Sequence, residues 1–142
     1  MKLSRSDFPE VAISFMQQTH LEEVDMLNAL YDLFERAEQG EDVPELVASI
    51  EALLEHTHAH FAREEEEMLK LNFPPYPVHK QAHDQFLQDF EAVVVQWRAS
   101  EDVAPVADFV RQITPAWMQQ HISTMDFVTA NFFAMHEQQQ RG

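Results

Sequence analysis

An all-α fold, an antiparallel up-down-up-down four-helix bundle, is what the sequence predicts, and three observations predict it. Apolar residues recur at helical rather than two-residue spacing through four long stretches. Helix breakers fall between those stretches: Gly40, the cluster Pro74, Pro75 and Pro77, and the segment from Ser100 to Pro105. The chain has 2 Gly in 142 residues and is 45% hydrophobic, enough to bury a core as a single domain over residues 1–142. Short connections make sequential helices antiparallel neighbours.

Each element follows from local signals. Ser6 or Asp7 is placed to cap the first helix, with Pro9 in its opening turn, where a missing N–H costs nothing. Ile13, Phe15, Met16, His20, Val24, Leu27, Tyr31 and Phe34 form its apolar stripe, and Gly40 ends it. Asp42 with Glu45 has the form of a capping box opening a second helix along Leu46, Ile50, Leu53, Thr57, His60, Glu64 and Met68, as far as Asn72. Pro77 begins the third, whose inward face reads His79, His83, Phe86, Phe90, Val94 and Trp97. In the last region Thr114-Pro115 reads as a restart, with Thr114 as N-cap. A short segment near Val103 to Gln112 then precedes a final helix through Trp117, His121, Val128 and Phe132.

A formal net charge of -16, with only 9 Lys and Arg, argues against nucleic acid and against anionic membrane surfaces, both of which need clustered cations. With no Cys, any metal must be held by imidazole and carboxylate. The start of the chain lacks the apolar core of a signal peptide, and no run reaches the length of a membrane span, so a cytoplasmic protein is expected.

In every predicted helix an ionisable group interrupts the apolar stripe: His20, then His60 with Glu64, then His79 with His83, then His121. Pairs at i,i+4 lie on one helix face a turn apart, where both side chains reach a common ion. A buried polar ring or charge without a partner is costly, so four interruptions facing one interior need a common explanation, and a metal supplies it. Asp126 follows His121 by five residues, about 140° further round an α-helix, at the edge of the stripe. Five imidazoles and two carboxylates exceed the roughly four ligands of a zinc ion. Two irons or manganese ions spanned by carboxylates fit better. Ferritin-like sites need Glu-x-x-His on two helices and only Glu55 with His58 has that spacing, and no HExxH zincin pattern occurs. Of the run Glu64 to Glu67, Glu64 alone falls on the inward stripe, and His56 and His58 read as packing or surface residues.

The order His, His-x3-Glu, His-x3-His, His-x4-Asp resembles the hemerythrin family, the bacterial hemerythrins in particular. The segments HFAREEEEM, YPVHKQAHDQFL and WMQQHISTMD are similar to that family's ligand segments, and the likeness runs from about Gln17 to Phe133. It implies a non-haem pair of iron ions bridged by an oxo or hydroxo group. His79, His83 and His121 would hold one iron, His20 and His60 the other, with Glu64 and Asp126 bridging. Dioxygen would bind at an open position on the two-histidine iron, in an apolar pocket where Phe61, Trp117 and Ile122 stand.

The chain departs from that pattern in its first helix. THLEEVDMLN, from Thr19 to Asn28, puts Glu23 where the resemblance places a pocket leucine. Glu23 either points at the open site, as a ligand or proton relay, or turns outward with Glu22 onto a solvated face. The expected function is dioxygen binding for storage, delivery or sensing. The alternative is an enzyme-like di-iron protein handling peroxide or nitric oxide, with Glu23 altering the site. A metal-dependent signalling bundle is a third reading.

Overall fold

The computed structural model describes residues 2–141; of the expected domain span, Met1 and Gly142 lie outside the described residues. Three helices of 25 residues, α1 (Ser14–Glu38), α2 (Leu46–Lys70) and α3 (Tyr76–Ser100), are followed by a segmented fourth. The latter comprises α4 (Ala104–Asp108), a π turn (Phe109–Ile113), α5 (Thr114–His121), a second π turn (Ile122–Asp126) and α6 (Phe127–Arg141). α1 packs on α2, α2 on α3 and α3 on α4, and the first π turn closes the ring against α1. No strand occurs among the described residues, and no helix there is long and apolar enough to cross a membrane.

The first helix begins later than the local signals suggest. Asp7 and Ser4 instead cap a 3-10 turn (Arg5–Asp7): the Ser4 N–H donates to Asp7 at 2.8 Å and the Ser4 hydroxyl accepts from the Ser6 N–H. Pro9 disfavours helical backbone in Phe8, which is extended, and Phe8, Val11 and Ile13 bury their side chains in the core. Asn28 clamps the segment to α1, accepting from the Leu3 N–H at 2.7 Å and donating to the Leu3 carbonyl at 2.9 Å.

The breakers end the helices where expected. Gly40, at φ +86°, takes the left-handed conformation that closes α1, and Asn72, at φ +55°, does so after α2. The predicted capping box at Asp42 does not form. Glu45 has helical backbone and makes no side-chain cap, and its carboxylate pairs with Arg36 at 3.0 Å.

Thr114 does not restart a helix. Its backbone is helical (φ -61°, ψ -49°), and the chain passes through Pro115 without a break. Proline lacks an N–H and its ring crowds the carbonyl four residues back, which an ordinary helix does not tolerate. The π turn just before it widens the helix, and the Tyr31 hydroxyl from α1 donates to the Val110 and Arg111 carbonyls at 3.4 and 3.5 Å. Burial pushes the Tyr31 pKa up to about 12, against the pull of Arg111, so the hydroxyl keeps its proton.

The core has two apolar lobes. Leu27, Leu30, Phe34, Ile50, Leu53, Phe90 and Val94 fill one, while Met16, Met68, Phe73, Ala130 and Phe133 fill the other. Between them all five candidate histidines and both candidate carboxylates are buried in one polar layer.

Tyr31→Phe should lower unfolding stability by about 0.5–1.5 kcal/mol in urea titrations, the usual net value of a hydrogen bond. In a Pro115→Ala background, where a backbone N–H returns to serve those carbonyls, the same substitution should cost measurably less.

Candidate metal centre

The polar layer resolves into two clusters of potential ligand atoms, His79, His83, His121 and Asp126 in one and His20, His60 and Glu64 in the other, with each cluster's atoms within 4.8 Å of one another. All seven positions expected from the sequence therefore enter a cluster. Nε2 of His121 lies 3.0 Å from Nε2 of His79 and 3.1 Å from Nε2 of His83. Asp126 joins the clusters: Oδ1 is 3.1 Å from Nε2 of both His79 and His121, and Oδ2 is 2.9 Å from Nε2 of His20. Glu64 also spans them, Oε2 lying against Nε2 of His60 and Oε1 standing 3.6 and 3.7 Å from Nε2 of His83 and His79.

Asp126 stands further inward than α-helical geometry predicts. The π turn Ile122–Asp126 replaces the i,i+4 repeat with i,i+5, so the fifth residue after His121 comes back over it instead of at the edge of the stripe.

The other ring nitrogens fix how each imidazole faces. Nδ1 of His60 donates to Oε1 of Glu23 at 2.8 Å, and Nδ1 of His83 donates to Oε2 of Glu65 at 2.9 Å. An ionised carboxylate only accepts, so neutral His60 and His83 each present a bare lone pair at Nε2. Nδ1 of His79 is bonded to the Thr129 hydroxyl at 2.8 Å. The Nε2 of His60, both oxygens of Glu64 and Oδ1 of Asp126 are buried without a hydrogen-bond partner. Lone pairs and anionic oxygens turned on one another in a buried layer repel unless a cation lies between them, and the donor set suits iron. These residues therefore fit a pair of metal ions.

Without metal, protons do part of that work. Burial alone would lower the pKa of His60, but Glu64 and Glu23 on either side raise it well above the ordinary value. Burial and the neighbouring Asp126 charge raise Glu64. Burial, with His121 and His79 beside it, pushes His83 far down, keeping it neutral. Asp126 is carried well below its ordinary value, against burial, by the charge of His121 first, with the nearby ring nitrogens of His121, His20 and His79 lowering it further.

Of the two courses open to Glu23 from the sequence, it does not take the outward one. It is 6% exposed, so it does not share the solvated face of Glu22, and its Oε1 holds the Nδ1 side of His60 rather than the Nε2 side that faces the clusters. Glu65 overturns the expectation that only Glu64 of its run turns inward. Its side chain is 16% exposed and accepts from His83 while Lys80 stands 3.4 Å away. Thr129, fully buried, carried no signal beyond its place three residues after Asp126. His56 sits part-way out, bonded to Glu22 at 3.1 Å and 3.5 Å from Glu23, and His58 pairs with Glu91 at the surface.

Of the expected pocket residues, Phe61 stacks on His83 with ring centroids 3.8 Å apart, and Trp117 stacks on His121 at 4.2 Å. Ile122 is buried next to His121.

Comparison with known proteins points the same way. Residues 11–132 match the hemerythrin HHE cation binding domain. The chain is 32% identical to the bacteriohemerythrin of Aquifex aeolicus over 116 residues, 82% of this chain and 86% of that protein. It is 29% identical to the bacteriohemerythrin of Stenotrophomonas maltophilia over 89% of this chain and 78% of that one. The myohemerythrin of Sipunculus nudus is 36% identical over 59% of this chain and 62% of its own length. No solved structure matches the chain.

Two outcomes follow from the hydrogen bonds behind the imidazoles. Thr129→Val should weaken metal binding by about 10–100-fold, read by chelator competition, because the ring of His79 loses its anchor. In Glu23, burial raises the pKa, but the His60 charge and the hydrogen bonds from His56 and His60 bring it from 4.5 down to about 2. A depressed carboxylate contributes stability that is fully present above its unfolded value and lost as pH falls through its folded one. In the metal-free protein Glu23→Gln should therefore flatten the dependence of the urea midpoint on pH between about 4.5 and about 2.

Proposed function

The chain belongs to the hemerythrin HHE cation-binding family, and from that premise we propose that its seven clustered residues hold two irons and bind dioxygen for storage, delivery or sensing. Hemerythrins are di-iron dioxygen-binding proteins, and this chain shares that function and cofactor. The observation that carries the assignment of residues is the double reach of Asp126, one oxygen toward His79 and His121 and the other toward His20. His79, His83 and His121 would hold one iron, His20 and His60 the other, and Asp126 and Glu64 would each lend an oxygen to both.

Where bound, a ferrous pair would supply the two electrons that hold dioxygen. The protein's own part is to orient and to exclude. Glu65 and Glu23 hold the rings of His83 and His60 with Nε2 turned inward, so the donors are in place before a metal arrives. His20 and His60 bring two imidazoles against three on the other side, so an iron held there would have fewer protein ligands. Phe61, Trp117 and Ile122 give the layer apolar walls that keep water from reacting there. We place the whole of residues 1–142 in one such domain, acting in the cytoplasm. The excess of 25 Asp and Glu over 9 Lys and Arg speaks against nucleic acid as a partner.

Anaerobic loading with iron(II), followed by cycles of air and argon, tests the reading. About two irons per chain should be retained, one for each cluster. A visible band should rise in air and fall under argon. A protein that keeps no iron, or that oxidises irreversibly at the first exposure, would overturn the proposal. Asp126→Ala should reduce retained iron and remove most of the rise in Tm that iron confers, because it withdraws an oxygen from both clusters.

A further inference from the structure

A small cavity, apart from the ligand atoms, lies on the α2 and α5 side of Glu23. It measures about 10 Å³ and is lined by Glu23, Thr57, Thr114, Phe61 and Trp117 among other, apolar residues. That is the scale of a single water molecule, and a buried water is stable only where two to four polar groups meet it.

Two polar groups there lack partners. The Thr114 hydroxyl is 4% exposed and makes no hydrogen bond. A threonine inside a helix usually bonds the carbonyl four residues back. Here that carbonyl, of Val110, receives the Tyr31 hydroxyl, and the Thr114 oxygen is left over. Glu23 is the second: His60 at 2.8 Å and His56 at 3.5 Å both approach Oε1, and no protein donor among the described residues bonds Oε2. A third group, the Thr57 hydroxyl, donates to the Leu53 carbonyl at 2.8 Å and keeps lone pairs free to accept.

We propose that this cavity is a one-water site in which the water donates to Oε2 of Glu23 and bonds the Thr114 hydroxyl, with Thr57 as a third neighbour. One molecule then bonds the carboxylate oxygen of Glu23 that no protein donor reaches and the buried Thr114 hydroxyl on α5. It also puts an exchangeable, proton-bearing molecule against Phe61 and Trp117, the rings that wall the metal layer. The wall is wet at that one point, and water at the edge of a site that must stay dry is a leak, shortening the life of the oxygenated protein. The leak rests on the dioxygen reading above, whereas the water site does not.

High-resolution crystal structures of the iron-loaded protein, Thr114→Val and Thr114→Ser test the site. Valine keeps the shape of threonine without the hydroxyl, and serine keeps the hydroxyl. One buried water should stand between Thr114 and Glu23 in the parent and in Thr114→Ser, and none in Thr114→Val. An empty cavity in the parent, a Thr114 hydroxyl bonded to the Val110 carbonyl, or a water that survives in Thr114→Val would each overturn the site. For the leak, the oxygenated form in air-saturated buffer should last several-fold longer in Thr114→Val than in the other two. Equal lifetimes in all three overturn the leak. If no oxygenated form arises in any of them, the dioxygen reading has failed and the density alone decides the water site.

Discussion

A layer of five imidazoles and two carboxylates sits across the middle of an apolar bundle, and the rest of the structure depends on how that layer is balanced. The ligand atoms are buried away from water, so lone pairs and negative oxygens facing inward must be neutralised by protons or by cations. Protons meet the need only in part. Burial keeps His83 neutral, so with its Nδ1 donating to Glu65 its Nε2 carries none, and Nε2 of His121 has one proton at most to offer two facing nitrogens. Metal ions remove the conflict at every pair at once, which ties stability of the core to occupancy of the centre.

Around this layer the bundle is built to hold the rings still. Four of the five rings are stacked or hydrogen-bonded from behind: Phe61 on His83, Trp117 on His121, Thr129 behind His79, Glu23 behind His60. The apolar lobes on either side lock α1, α2 and α3 in depth, so the ligand pairs on α2 and α3 meet at one level. The fourth helix uses two departures from α-helical register to the same end. One carries the chain through Pro115 without losing direction, and the other swings Asp126 inward over His121.

Much of this is legible in the amino-acid sequence. Local periodicity and breakers mark the helices, because a 3.6-residue repeat depends only on neighbours along the chain. His60 with Glu64 and His79 with His83 are legible as pairs for the same reason. Where tertiary contacts compete, local signals lose. Asp7 caps a 3-10 turn with Ser4 rather than α1, Glu45 turns to Arg36 rather than its own helix end, and Thr114 stays helical because π geometry and Tyr31 make Pro115 tolerable.

The sequence by itself determined the four-helix architecture, the chemistry of the donor set and its spacing on each helix, all of them consequences of residue type and short-range repeat. Only the tertiary structure decided which nitrogen of each histidine faces inward, that Glu23 and Glu65 stand behind the rings, and that Asp126 reaches both clusters. Those outcomes depend on distances across the bundle between residues far apart in the chain, as with His20 and Asp126, 106 positions apart and 2.9 Å from nitrogen to oxygen. No repeat along a single helix encodes such a distance; it exists only once the helices have packed.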